Sequence, residues 1–386
     1  MADLKRMNMI FAINVPYPYG MAGTARVKLF ADYIARNHIT SVLVTNQDNG
    51  ENPNQGTFND VFYTLLVPLG VPRILKLAFY PFFSFIRLFQ LKRRDKKNVI
   101  CIYGNIDLYF LPILIAAKLL GYKVLQDIVE DPSLHSEEFS LLPRLNIGFA
   151  IFFQSLFIRW VHGIIVISSQ IEEKIQSINS SISRLLIPVS AMNLSIDFPS
   201  DKKKSDLINI FYCGSFGVKD GVELLLEAFV RAQKVHPNLR LTLVGTPSND
   251  ALEKMQIIQN NTINITGYLN DDDYWKCLYS SDILCMTRIN SPYANAGFPF
   301  KLGEYLATGK PVLATNVGDV TKYLEHQKDA IIIKPSCIDA IEEGINYLVS
   351  HPETHQLIGQ NGLEKAKQFF NPEINSKMFE QFAQKI

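Results

Sequence analysis

The residues with the most chemistry to offer fall in one stretch, from Asn295 to Asn316. Gly297 precedes an amphipathic segment expected to be helical from about Phe300 to Thr308, with Gly309 as its stop. An apolar run from Pro311 to Thr315, of buried-strand length, follows. A glycine before a helix lets backbone N–H groups approach a ligand closely. The helix start aims unpaired donors and a partial positive charge at the same place. Lys301, in the first turn, opposes the helix dipole, so its expected role is to answer an anion held in front of it. Glu304, one turn on and on the same face, can accept hydrogen bonds from a polyol such as ribose. An ordinary loop, helix and strand with a surface Lys and Glu accounts for this spacing equally well.

The elements around that stretch must therefore decide. A chain of 386 residues is long for one core, and two domains are expected. Hydrophobic residues make up 47%, including 25 Phe, enough for two cores. Lys and Arg number 38 against 37 Asp and Glu, so no bulk field favours nucleic acid. Cys101, Cys213, Cys277, Cys285 and Cys337 show no paired spacing and sit in apolar contexts, as reduced core thiols of a cytoplasmic protein would. The first residues lead into a short strand rather than a signal peptide. No run reaches the roughly 18 apolar residues of a spanning helix. A chain in solution, or one lying on a membrane at its cytoplasmic face, is expected.

From Met9 to Val15 the chain reads as a buried strand, followed by the loop that carries Gly20, Gly23 and Thr24. A helix and a second strand at 41–45 come next. This is the opening of a doubly wound parallel sheet, with its loop on the ligand-binding rim. The loop lacks G-x-G-x-x-G, and no acidic residue follows the second strand, so a dinucleotide site is poorly supported. Further strands are expected at 99–103, 123–127 and 163–168, with a helix over 108–120. Asp127, Glu130, Asp131 and His135 cluster at one strand end; a solvated, capped loop is the simpler account of His135. Ser168 is expected to begin a capped helix at the rim.

Two stretches are unusually aromatic. Residues 74–89 run into the basic 92–97, and this region is read as a surface resting on anionic membrane. Residues 147–161 are apolar nearly all round and are assigned to the core. A proline- and charge-rich break at 191–207 is the expected linker. It divides an N-terminal Rossmann-like domain, 1–190, from a second at 208–370; a terminal helix, 371–386, is expected to return to the first. In the second half the strand–loop–helix grammar restarts at 208–213. Its loop carries Gly214, Ser215 and Lys219, and the next strand ends at Gly245 and Thr246. Asp271, Asp272 and Asp273 imitate a metal-binding pattern, but directly precede a helix and are read as caps and dipole partners. No metal site is expected.

Taken together, the segments 211–229, 239–245 and 297–312 resemble the retaining family-four glycosyltransferases of the GT-B fold. The resemblance is specific from about 208 to 325 and looser around Gly20, Gly23 and Ser168. It implies an α/β chain with two Rossmann-like domains facing each other across a cleft, an acceptor site in the first and a nucleotide-sugar site in the second. Donor contacts would come from Gly214, Ser215, Lys219, Gly245, Thr246, Ala296, Gly297, Phe298, Pro299, Lys301, Leu302 and Glu304, with Lys219 and Glu304 carrying catalysis. Gly20, Gly23, Thr24, Asp127, Glu130 and Ser168 would line the N-terminal side. The nucleotide sugar is a co-substrate, and no cofactor is implied.

Two departures stand out. The family often has a second glutamate about two helical turns before the one matched by Glu304; here that position is Ala296. Sugar recognition then falls on the N–H groups of Ala296, Gly297 and Phe298. The usual arginine after the first glycine is Ser215, and the lysine stands one place early, before Asp220. The expected activity is transfer of a hexose to a glycan or lipid-linked acceptor in polysaccharide synthesis. An inactive nucleotide-sugar-binding partner subunit and a GT-B epimerase are the alternatives.

Overall fold

The computed structural model describes residues 7–47, 52–67, 73–134, 141–194, 206–247 and 262–386. His135 and most of the expected linker lie outside them. The chain divides into two compact units, Met1–Pro188 with Pro372–Ile386, and Val189–Asn371.

The first unit is built on an eight-stranded sheet in the order β3-β4-β2-β1-β5-β6-β7-β8. Its strands are β1 Met7–Ile13, β2 Ile39–Val44, β3 Gln55–Phe58, β4 Val61–Leu65, β5 Lys97–Tyr103, β6 Lys123–Ile128, β7 Gly163–Val166 and β8 Ser183–Leu186. All neighbours pair in parallel except β3 with β4. Strand β1 is buried along its whole length, as expected for a central parallel strand covered on both faces. Helix α1, Ala22–Ala35, buries Val27, Phe30, Ala31 and Ile34. Helices α2 (Arg73–Leu91), α3 (Leu111–Leu119), α4 (Leu141–Trp160) and α5 (Ser169–Ile178) connect the later strands. The terminal helix, Pro372–Lys385, packs on α1: Phe379 stacks on Phe30 at 4.7 Å, and Arg36 pairs with Glu373.

The second unit holds a six-stranded parallel sheet in the order β11-β10-β9-β12-β13-β14. The strands are β9 Ile208–Cys213, β10 Leu239–Val244, β11 Ile263–Gly267, β12 Ile283–Met286, β13 Val312–Thr315 and β14 Ile331–Ile333. Helix α6, Val222–Val235, places Leu225, Leu226, Phe229 and Ala232 against the sheet, which is the face its helical periodicity marks out. The order reverses between β9 and β12. The loops leaving those two strands therefore flank the switch point, where open α/β sheets bind ligands.

Two sequence expectations change. The segment 147–161 is not all core: in α4, Phe157 and Ile158 are buried while Phe152, Leu156 and Trp160 are exposed. The pair β3–β4, strand β8 and the last strand β14 went unread because these strands are short or carry polar edge residues. Of the cysteines, Cys101 and Cys285 are buried, whereas Cys213, Cys277 and Cys337 are half-buried.

Candidate active site

At the switch point of the second unit, Gly214 follows β9, and its N–H donates to Val244 O at 3.0 Å. The chain then makes a 3-10 turn, Val218–Asp220, and enters α6 through Gly221 in the left-handed conformation. A Cβ on Gly221 would overlap the carbonyl of Thr287, so this glycine lets the two loops close on each other. They are tied by Ile289 N–H to Lys219 O at 3.0 Å and by the Thr287 hydroxyl to Asp220 O at 3.2 Å. Gly245, at the end of β10, has φ +128, and a Cβ there would overlap Gly214 O. Thr246 beyond it is exposed.

Helix α7, Asp271–Ser280, leads into β12, and the loop after β12 forms a short helix, α8 (Pro292–Ala296), before α9 at Phe300–Ala307. Ser291 caps α8 by accepting from Ala294 N–H at 3.2 Å. The start of α9 has no side-chain cap, since Pro299 occupies that position. Phe298 anchors the connection by packing on Tyr323 and Phe370, with ring centroids 5.5 and 5.6 Å away. Pro299 and Leu302 are buried beside it, and Ala296 is buried at the end of α8. Gly297 is different. Its backbone is extended, with φ −88, and a Cβ there would meet nothing nearer than Arg288 Nη1 at 3.8 Å. Neither its backbone nor its neighbours within the chain require a glycine.

Charge gathers beneath these loops. Asp220 is buried, with Lys301 Nζ 3.3 Å and Arg288 Nε 3.9 Å from its Oδ1. The Ser215 hydroxyl donates to Oδ2 at 3.0 Å. Burial works to raise the Asp220 carboxyl, but Lys301, Arg288 and Ser215 outweigh it and hold the group below the usual range. Lys301 also donates to the Tyr212 hydroxyl at 3.1 Å and lies 4.2 Å above that ring. Burial and the neighbouring Arg288 lower the Lys301 ammonium despite Asp220. The lysine expected to answer an external anion thus has an internal one, Asp220. Lys219 stands at the rim of the same pair of loops: its Nζ lies 3.2 Å from the Tyr293 hydroxyl and 4.4 Å from that ring's centroid.

Glu304, one turn into α9, accepts from the Tyr274 hydroxyl of α7 at 2.9 Å. Burial raises its carboxyl to about 7; the Tyr274 hydrogen bond opposes this and the charge of Asp271 adds to it. Tyr305 on the same helix accepts from Cys213 N–H at 2.8 Å, which locks α9 to the end of β9. Asp271, Asp272 and Asp273 occupy the first turn of α7, and Asn270 caps it by accepting from Asp273 N–H at 2.9 Å.

The model of the family described as glycosyl transferases group 1 matches residues 195–365, the span that holds all of these groups. This segment is a glycosyl transferases group 1 domain. An uncharacterised glycosyltransferase of Methanocaldococcus jannaschii is 24% identical over 144 residues, 36% of this chain and 35% of that protein. The chain's match thus spans about a third of that relative. Among solved structures, HepE of Anabaena in complex with UDP-glucose superposes with TM-score 0.73 at 17% identity, covering 99% of this chain and 100% of that one. Sucrose-phosphate synthase of Thermosynechococcus elongatus gives 0.71 at 16%, covering 98% and 99%. At these identities the likeness establishes the fold, which is that of the GT-B glycosyltransferases.

In the N-terminal unit the expected site residues divide. Gly20 sits on the loop between β1 and α1, whereas Gly23 and Thr24, expected on that loop, fall in the first turn of α1; a Cβ at the two glycines would meet Thr24 and the Tyr103 hydroxyl respectively. The Thr24 hydroxyl donates to Pro16 O at 2.7 Å, closing the loop. Gln47 and Asn52 clamp the same loop through the backbones of Tyr17 and Tyr19. Asp127, expected on the rim, is instead buried in a two-pronged pair with Arg26, at 2.8 and 3.0 Å. Arg26 also donates to Ile187 O and Pro188 O. Ser168 is buried and caps α5 through Ile171 N–H, at 3.4 Å. Glu130 is exposed, and Asp131 is held by Lys174 at 2.7 Å. The residues that sequence reasoning missed are Arg288, Asp220, Tyr274 and Tyr293. Only Asp220, standing where the family lysine is expected, carried a local signal.

Proposed function

We propose that this chain is a retaining glycosyltransferase that moves a hexose from a UDP- or GDP-linked donor to a glycan or lipid-linked saccharide acceptor, without a metal ion. One observation carries the reading. At the switch point, Gly297 has room that nothing in the chain fills, beside Arg288, Lys301, Lys219 and the uncapped start of α9. A diphosphate is the ligand whose charge and acceptors match those donors. The UDP-glucose complex of the fold neighbour HepE makes UDP-glucose the first donor to try.

In this reading, cleavage of the sugar–phosphate bond leaves negative charge on the diphosphate. Preorganised donors supply the largest catalytic term. Lys219, Lys301 and the N–H groups after Gly214 and Gly297 would meet that charge, with Arg288 behind them. The leaving phosphate would take the acceptor's proton, so no protein nucleophile is needed. Glu304 would hold the ribose hydroxyls. The work would be done in the cytoplasm, at the inner face of the membrane, with 74–97 in peripheral contact with anionic lipid.

Gly297→Ala is the clean test, because the chain itself accommodates the added methyl. Melting should be unchanged, while affinity for UDP-glucose or GDP-sugars, measured calorimetrically, should fall at least about tenfold, the loss of one or more charge-assisted hydrogen bonds. Wild-type donor affinity in this variant would overturn the proposed binding site. A second reading, a nucleotide-sugar binder without turnover, is favoured by Ala296 and by the pairing of Lys301 with Asp220. Release of nucleoside diphosphate by the purified wild type separates the two.

A further inference from the structure

We propose that the outward faces of α2, α3 and α4 together form one surface that lies on a bilayer containing anionic lipid. This extends the aromatic segment 74–97 to a three-helix face and does not rest on the donor site.

The topology puts the three helices in one layer. They connect β4 to β5, β5 to β6 and β6 to β7, each step running the same way along the sheet. Right-handed crossovers in one direction fall on one face. Helix α2 turns Tyr80, Ser84 and Leu88 inward, while Phe79, Phe82, Phe85 and Phe89 are exposed, Phe82 by 60% and Phe89 by 59%. That spacing makes a single outward stripe. Next to it α3 exposes Ile115 and Leu119, the latter by 74%. Helix α4 joins the start of α3 through Asn146, which donates to Asp107 at 2.7 Å. It exposes Leu145, Ile151, Leu156, Trp160 and Phe152, the last by 78%. An apolar surface of this extent on a polar-rimmed layer marks a contact site.

Charge decides the occupant. None of the three helices contains Asp or Glu, although acidic and basic residues nearly balance over the chain. Around the aromatic stripe Arg93, Arg94, Lys118, Arg144 and Arg159 are exposed, with Asp95 as the acidic neighbour. Exposed rings ringed by Arg and Lys suit the headgroup level of an anionic bilayer. A symmetric pair of copies would instead press like charges together. Among the described residues no helix is long and apolar enough to cross a membrane, so the face would lie on the lipid rather than insert through it.

The chain has two tryptophans, of which Trp160 is in the proposed face and Trp275 is buried in the other unit. In the full chain with Trp275→Phe, fluorescence would report Trp160 alone. Vesicles of brominated phosphatidylcholine with phosphatidylglycerol should quench it, and vesicles without the anionic lipid should quench it far less. Phe82→Ser with Phe85→Ser, and separately Phe152→Ser with Leu156→Ser, should each weaken co-sedimentation with anionic vesicles at least about tenfold. Arg144→Glu with Arg159→Glu should do the same. Quenching that ignores lipid charge, or an α4 pair that binds like the wild type, would overturn the three-helix face. So would sedimentation velocity showing a dimer that these substitutions dissociate, without vesicle binding.

Discussion

Glu304→Gln should make the C-terminal unit more stable at alkaline pH and leave it unchanged in acid. The carboxyl is raised from 4.5 to about 7 because the fold strips its water, while Tyr274 returns one hydrogen bond. A carboxyl raised in the folded state contributes stability below its unfolded value and loses it as pH climbs through the folded one. Each tenfold change in proton affinity is about 1.4 kcal/mol, so ionised Glu304 costs the fold on the order of 3 kcal/mol. Glutamine keeps an acceptor for Tyr274 and carries no charge. By differential scanning calorimetry at pH 8.5 the transition of the unit Val189–Asn371 should rise by roughly 6–12 °C, from about 2–4 °C per kcal/mol for a domain of this size. At pH 4.5 the two proteins should melt together. A variant that melts equally or lower at pH 8.5 would show that Glu304 is solvated and that its placement against Tyr274 is wrong. The same variant should bind donor nucleotide more weakly if the carboxylate holds ribose.

The buried charges make two more tests. Asp220→Asn leaves Lys301 and Arg288 facing each other without their acid, and should cost about 3–5 kcal/mol of stability in urea; adding Lys301→Met should recover part of it, and strict additivity would refute the pairing. In the N-terminal unit, Asp127→Asn strands Arg26 in the core with only carbonyls for partners. A loss of similar size, about 3–5 kcal/mol, is expected in a urea melt, and a loss under 1 kcal/mol would mean that water reaches the pair.

Periodicity and punctuation alone determined much of this protein. The apolar runs at 9–13, 99–103 and 283–286 could be read as strands because they are short, and a strand buried on both faces is apolar at consecutive positions. The glycine loops follow them, and the single turn between Lys301 and Glu304 puts both on one side of α9, as local helix geometry dictates. The family segment could be recognised for the same reason, its residues being close in sequence. What the tertiary structure decided is pairing at a distance. Lys301 finds Asp220, Arg26 finds Asp127, and Glu304 finds Tyr274 only after strand order has been set, and no local pattern encodes that order. The outward turn of Phe152 and Trp160 was likewise illegible, because a helix apolar nearly all round carries no signal for which side meets the sheet. A side chain's type announces what it can do; which neighbour satisfies it depends on the register and crossover of elements far apart in the chain.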